Sequence, residues 1–70
     1  MVEKTVLLTG TSPNGVQEAI EIAIARAGVT LRGLRRAHVR DLRLEIADNK
    51  VSHWIVDLEV TFEIREEIHG

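Results

Sequence analysis

The sequence predicts an α+β fold, one helix laid across a three-stranded sheet in the order β-α-β-β, and three observations carry that expectation. Apolar side chains alternate without a break through Trp54, Val56, Leu58, Val60, Phe62 and Ile64, the period of a strand with one buried face. Val16, Ala19, Ile20, Ala23, Ile24 and Ala27 recur at three-and-four spacing, the stripe of an amphipathic helix. Asp48-Asn49 separates two long stretches free of glycine and proline, and that dipeptide suits a two-residue hairpin turn. One helical and three extended segments give a sheet, antiparallel or mixed, with a single helical layer.

In chain order, residues 2 to 9 (VEKTVLLT) read as a strand, with Val2, Lys4, Val6 and Leu8 on one side and Glu3, Thr5, Leu7 and Thr9 on the other. The next six residues (GTSPNG) are turn chemistry. Within them Ser12 is predicted to cap the helix with its hydroxyl and Pro13 to occupy the first helical position. Gln17, Glu18, Glu21 and Arg26 lie off the apolar stripe. Gly28 is expected to end the helix, with an irregular turn over residues 29 to 32 before Gly33. Residues 34 to 47 and 50 to 64 are the two arms of a long hairpin, residues 1 to 64 form one domain, and residues 65 to 70 are a frayed tail.

Composition narrows the class. The chain has 70 residues, 44% of them hydrophobic, with Trp54 and Phe62 its sole aromatic side chains and no cysteine. A domain this small buries little surface and is commonly reinforced by disulfides, a metal or a partner subunit, and disulfides are excluded. The apolar run Val6 to Leu8 is far short of the ~20 residues of a membrane helix. No basic-then-apolar leader opens the chain, so a cytoplasmic location is expected. At a formal charge of -2 the molecule lacks general attraction to nucleic acid. Arg32, Arg35, Arg36, Arg40 and Arg43 have no interleaved aromatics to stack on bases. With no cysteine nucleophile and no Ser-His-acid set at a telling spacing, an enzyme is not indicated.

The element lengths predict association. A helix of about 15 residues covers ~22 Å, whereas strands of about 14 residues run to ~46 Å. Leu42, Leu44, Ile46, Trp54 and Ile55 therefore fall beyond the reach of the helix. So many large apolar groups in water form an association surface, and an obligate oligomer is expected.

An unbroken hairpin ladder closed by Asp48-Asn49 sets Arg40 opposite Asp57 and His38 opposite Glu59, in a charged strip with Arg36 and Thr61 on the sheet face away from the helix. Two readings stand for this strip. Cross-strand ion pairs would each contribute ~0.2–1 kcal/mol; alternatively the strip lines a cavity and offers guanidinium groups to an anionic or planar ligand. The histidines lack the spacing of a zinc site. Asp41, Glu45, Asp48, Asp57 and Glu59 could gather oxygen ligands for Ca²⁺ or Mg²⁺ where subunits meet on a symmetry axis.

The run VLLTGTSPNGVQEAIEIAIARA, followed by two long strands ending in LEVTFEIRE, resembles the dodecins over nearly the whole chain. The lysine in the first strand, the GTS turn, the AI-RA helix end and the terminal E-V-x-F-E strand carry the likeness. The resemblance implies a three-stranded antiparallel sheet wrapped on one helix, assembled into a hollow homododecamer. It places the helix on the outside of the shell wall, with Arg36, His38, Arg40, Asp57 and Glu59 facing inward. It also implies storage of a flavin of the riboflavin or FMN class in pockets between subunits, where flavins stack in pairs between tryptophans and a glutamine grips the ring edge. Arg36 stands at the position of the stacking tryptophan and Ile55 at that of the glutamine, while Glu45 retains the carboxylate used on the ribityl chain, with Asp41 beside it. The expected flavin-contacting set is thus Arg36, His38, Asp41, Glu45 and Ile55. The alternative is a flavin-free shell with a structural or calcium-type role, in which Asp41, Glu45 and Asp57 meet a divalent cation.

Overall fold

The computed structural model describes residues 2–64, in which four elements succeed one another: β1 (Val2–Ser12), α1 (Val16–Thr30), β2 (Leu34–Ala47) and β3 (Lys50–Ile64). Both pairings are antiparallel, and the sheet order β1-β3-β2 puts the most apolar strand in the centre. The tail expected over residues 65 to 70 lies outside the described residues. No helix among the described residues is long and apolar enough to cross a membrane.

The hairpin matches its prediction at both ends of both strands. Asp48 and Asn49 have φ of 52° and 62°, the left-handed pair that a tight hairpin turn requires and that Asp and Asn tolerate.

The two helix boundaries differ from expectation. β1 continues through Ser12, which pairs with Trp54, so Ser12 is not the helix cap and Pro13 is not the first helical residue. Gly15 takes the cap position, and its carbonyl accepts the first helical bond from Ala19 N–H at 3.1 Å. Ser12 is fully buried, and its hydroxyl instead ties the junction together: it accepts from Asn14 N–H at 2.9 Å and donates to the Glu18 carboxylate, which also accepts from Asn14 Nδ2 at 2.7 Å. These bonds, the Ser12 hydroxyl foremost, hold the Glu18 carboxyl below the usual carboxylate range. At the other end the helix passes through Gly28 to Thr30, and Leu31 N–H closes it on the Ala27 carbonyl at 2.8 Å. The chain turns at Gly33 instead, where φ is 72° and an added Cβ would stand 2.9 Å from the Glu63 carbonyl.

The core is a thin layer of Val56, Leu58 and Val60 from β3 against Ala19 and Ala23 of α1, flanked by Val6, Leu8, Val16, Ile20, Ile24 and Leu34. Alanine on the buried helix stripe and Gly10 on β1 let backbone approach backbone. A Cβ at Gly10 would run into the Ala19 carbonyl and come within 3.0 Å of the Ala23 methyl. The helix therefore sits over β1 and β3.

The inner side of β2 stays largely bare, with Leu42, Leu44 and Ile46 at 47%, 48% and 67% exposure. Trp54 and Ile55, expected to share that exposure, are half-buried instead. Trp54 lies between Ser12 and Leu44, and Ile55 between Thr11 and Arg43 on the opposite face. The fold is a ribbon of 62 × 19 × 12 Å with a radius of gyration of 15.1 Å, against ~11 Å for a compact chain of this length.

Three β-bulges correct the predicted register. Arg35 and Arg40 on β2, and Ser52 on β3, are extra residues in the ladder. Consequently Asp41, not Arg40, faces Asp57, whereas His38 faces Glu59 and Arg36 faces Thr61 as expected. Strict alternation would have put Leu42, Leu44 and Ile46 on the same face as Arg36 and His38. The bulge at Arg40 moves them to the helix side and delivers Asp41, Arg43 and Glu45 to the face away from it. At the third bulge the Ser52 hydroxyl donates to the Glu45 carbonyl at 3.2 Å, serving a backbone group beside the disrupted ladder.

Candidate functional site: the charged face of the sheet

With the helix on one side, the other side of the sheet presents rows of polar residues, each row one step along the strands. Thr5, Thr61 and Arg36 form one row; Leu7, Glu59 and His38 the next; then Thr9, Asp57 and Asp41; then Thr11, Ile55 and Arg43. His53 and Glu45 close the series near the turn. The alternation of β3, with Val56, Leu58 and Val60 toward the helix and Asp57, Glu59 and Thr61 away from it, fixes the phase of the whole face.

Side chains on this face are joined by ion pairs. Arg36 Nη2 donates to Glu3 Oε1 at 2.8 Å, reaching over the central strand to β1. Arg40, although displaced into the bulge, brings Nη1 to 3.8 Å from Glu59 Oε1. Arg43 is the most engaged: Nη1 donates to Asp41 Oδ2 at 2.8 Å and to Asp57 Oδ2 at 2.7 Å, with Nη2 at 3.4 Å from Asp57 Oδ1. Thr9 Oγ1 donates to the same Asp57 Oδ1 at 3.0 Å. The Arg43 hydrogen bond, and next the Thr9 hydroxyl, hold the Asp57 carboxyl below the usual range, and the two carboxylates raise the Arg43 guanidinium in turn. An open groove of about 380 Å³ runs beside this cluster, lined by Leu7, Leu8, Thr9, Arg40, Asp57 and Glu59.

The expected site residues share the face but not one location. Asp41 and Asp57 meet, directly opposed and bridged by Arg43. Glu45 lies away from them, opposite His53. Arg36 and Glu45 face Thr61 and His53, eight positions apart on β3, about 26 Å at ~3.3 Å per residue. Among the described residues, no three His, Asp or Glu side chains gather closely enough to hold a metal ion. Arg43 was not among the expected site residues. Its signal was the slip in apolar phase from Val39 to Leu42, with Arg40 and Asp41 between, which marks an extra residue in the strand.

Together the elements define a two-layer α+β protomer with one bare apolar strip and one charged sheet face. Residues 2–65 match the Dodecin family model, and the chain belongs to the dodecin family. It is 43% identical over 65 residues to the dodecin of Thermus thermophilus, covering 93% of this chain and 94% of that protein. A crystal structure of a Thermus thermophilus protein superposes with a TM-score of 0.90 at 42% identity, over 94% of this chain and 97% of that one. The calcium-chelating immunodominant antigen of Mycobacterium tuberculosis, calcium dodecin, has a TM-score of 0.80 at 27% identity over 100% of both chains. That protein is described with a novel calcium-binding site.

Proposed function

We propose that the chain is a dodecin-type storage subunit that closes with copies of itself into a hollow homododecamer in the cytoplasm and sequesters a flavin of the riboflavin or FMN class between subunits. The observation that carries the reading, beside family membership, is the pairing of two incompletenesses. The inner side of β2 has apolar side chains without a cover, which another protomer would bury. The charged face spreads Arg36 and Glu45 about 26 Å apart at ~3.3 Å per residue, so a ligand touching both kinds of group takes them from different protomers.

The residues suit that ligand in kind. The Arg36 side chain is 65% exposed, and a flat guanidinium stacks on an aromatic ring. Glu45 is exposed and accepts hydrogen bonds from ribityl hydroxyls. Ile55 offers apolar cover, and His38 and Asp41 complete the polar set on the same face. Sequestration requires no reacting side chain, and the role proposed is binding, not catalysis. Titration of riboflavin or FMN with protein should quench flavin emission in a saturable way. Flavin left fully fluorescent at high protein concentration rejects the flavin.

A second reading draws on the calcium dodecin among the structural relatives: a flavin-free shell that meets Ca²⁺ or Mg²⁺ through Asp41, Glu45 and Asp57, which requires Arg43 to release the two aspartates and Glu45 to come from another protomer. Calorimetry at millimolar ion tests it, and absence of heat removes it.

A further inference from the structure

We propose that Arg43 is a specificity-determining residue of the charged face: its guanidinium stands where a divalent ion would bridge Asp41 and Asp57, and it keeps such ions off that pair. The proposal deepens the reading of this face as the ligand face and rests on it.

Two carboxylates directly opposed on neighbouring strands repel one another. Here they are held together by a cation from the chain itself, with Nη1 at 2.8 Å from Asp41 and 2.7 Å from Asp57. A calcium ion takes six to eight oxygen ligands at about 2.3–2.6 Å. These two carboxylates offer four oxygens at most. Asp41 Oδ2 and both oxygens of Asp57 are already engaged by Arg43 or Thr9. The neighbouring carboxylates lie in other rows: Glu59 pairs with Arg40, and Glu45 is opposite His53. An incoming ion must therefore displace a guanidinium tethered two residues from Asp41, whose effective concentration is on the millimolar scale or above. The bulge at Arg40 is what makes the arrangement possible, because it turns Asp41 and Arg43 to the face of Asp57.

The test uses the full chain in its assembled form, with CaCl₂ as the probe and calorimetry and thermal melting as readouts. The parent should give no calcium heat and a Tm indifferent to millimolar Ca²⁺. Arg43→Gln should melt lower in chelator, recover on adding Ca²⁺, and give a saturable calcium heat that the parent lacks; adding Asp57→Asn to it should abolish both the heat and the recovery. Arg43→Lys keeps a charge but loses the fork, and should show a weaker gain, which covers the case in which the glutamine variant does not fold. Calcium binding by the parent that Asp57→Asn removes overturns the proposal, as does a lysine or glutamine variant that folds and is as indifferent to Ca²⁺ as the parent. Failure of the flavin titration would reject the flavin reading and leave these calcium outcomes to decide the role of Arg43.

Discussion

Leu44→Asp puts the proposed association to its hardest test. Leu44 sits in the bare strip of β2 between Leu42 and Ile46 and is still 48% exposed in the lone chain. Full burial of a leucine contributes about 1.5–3 kcal/mol, so covering the remaining half contributes ~1 kcal/mol per protomer. Aspartate forfeits that gain and adds a desolvation cost of several kcal/mol for an unpaired buried carboxylate. A combined loss of about 4 kcal/mol weakens each contact roughly a thousandfold. Sedimentation velocity across the micromolar range should show the parent as one large species and the variant as small, concentration-dependent species. Leu44→Met conserves volume and apolar character, and should sediment like the parent. A Leu44→Asp protein with the parent's mass and no dissociation at submicromolar concentration would refute the assignment of this strip to the subunit interface.

Gly10→Ala should lower stability by about 3 kcal/mol, the upper end of overpacking costs, because the new methyl meets the Ala19 carbonyl and the Ala23 methyl; a denaturant midpoint within error of the parent would contradict the close strand-helix contact. Arg36→Trp combined with Ile55→Gln should tighten flavin binding about tenfold, since an aromatic stacking pair adds ~0.5–1.5 kcal/mol; fluorescence quenching with an unchanged Kd would place the pocket elsewhere. The depressed carboxyls of Asp57 and Glu18 set the sign of an acid effect. A group whose folded pKa is lowered contributes stability above its unfolded pKa, and that contribution is lost as pH falls through the folded value. Melting temperature should therefore hold from neutral pH to about 5 and fall below about 4, and Asp57→Asn should reduce the acid slope; an equal slope in parent and variant would remove Arg43 and Thr9 as its cause.

Much of this fold was legible because its signals were local. The hairpin limits came from a breaker-free run on each side of Asp48-Asn49, and both turn residues adopt the left-handed conformation that this dipeptide favours. The helix face came from its period, and Ala19, Ala23 and Ala27 are indeed its buried residues. The helix start was not legible, because Ser12-Pro13 is equally good chemistry for a turn, and pairing of Ser12 with Trp54 on β3 decided between the two. The site was half legible. Its residue types were visible, but their partners depended on where the ladder takes in extra residues. Each slip falls where two polar residues separate apolar ones: Arg35-Arg36 between Leu34 and Ala37, Arg40-Asp41 between Val39 and Leu42, and Ser52-His53 between Val51 and Trp54. Such a pattern states that alternation breaks, and tertiary packing then selects which residue is left over.

The leftover residues bear on how this chain tolerates changes in length. Deleting Arg40 would leave Val39 and Asp41 as consecutive rungs opposite Leu58 and Asp57, with every other side chain still pointing as it does now. Omission of an ordinary rung such as Leu42 would reverse the orientation of the remaining strand until another irregularity restored it. Arg35, Arg40 and Ser52 thus act as slack in the weave, the points at which this chain could lose one residue while presenting the same two surfaces.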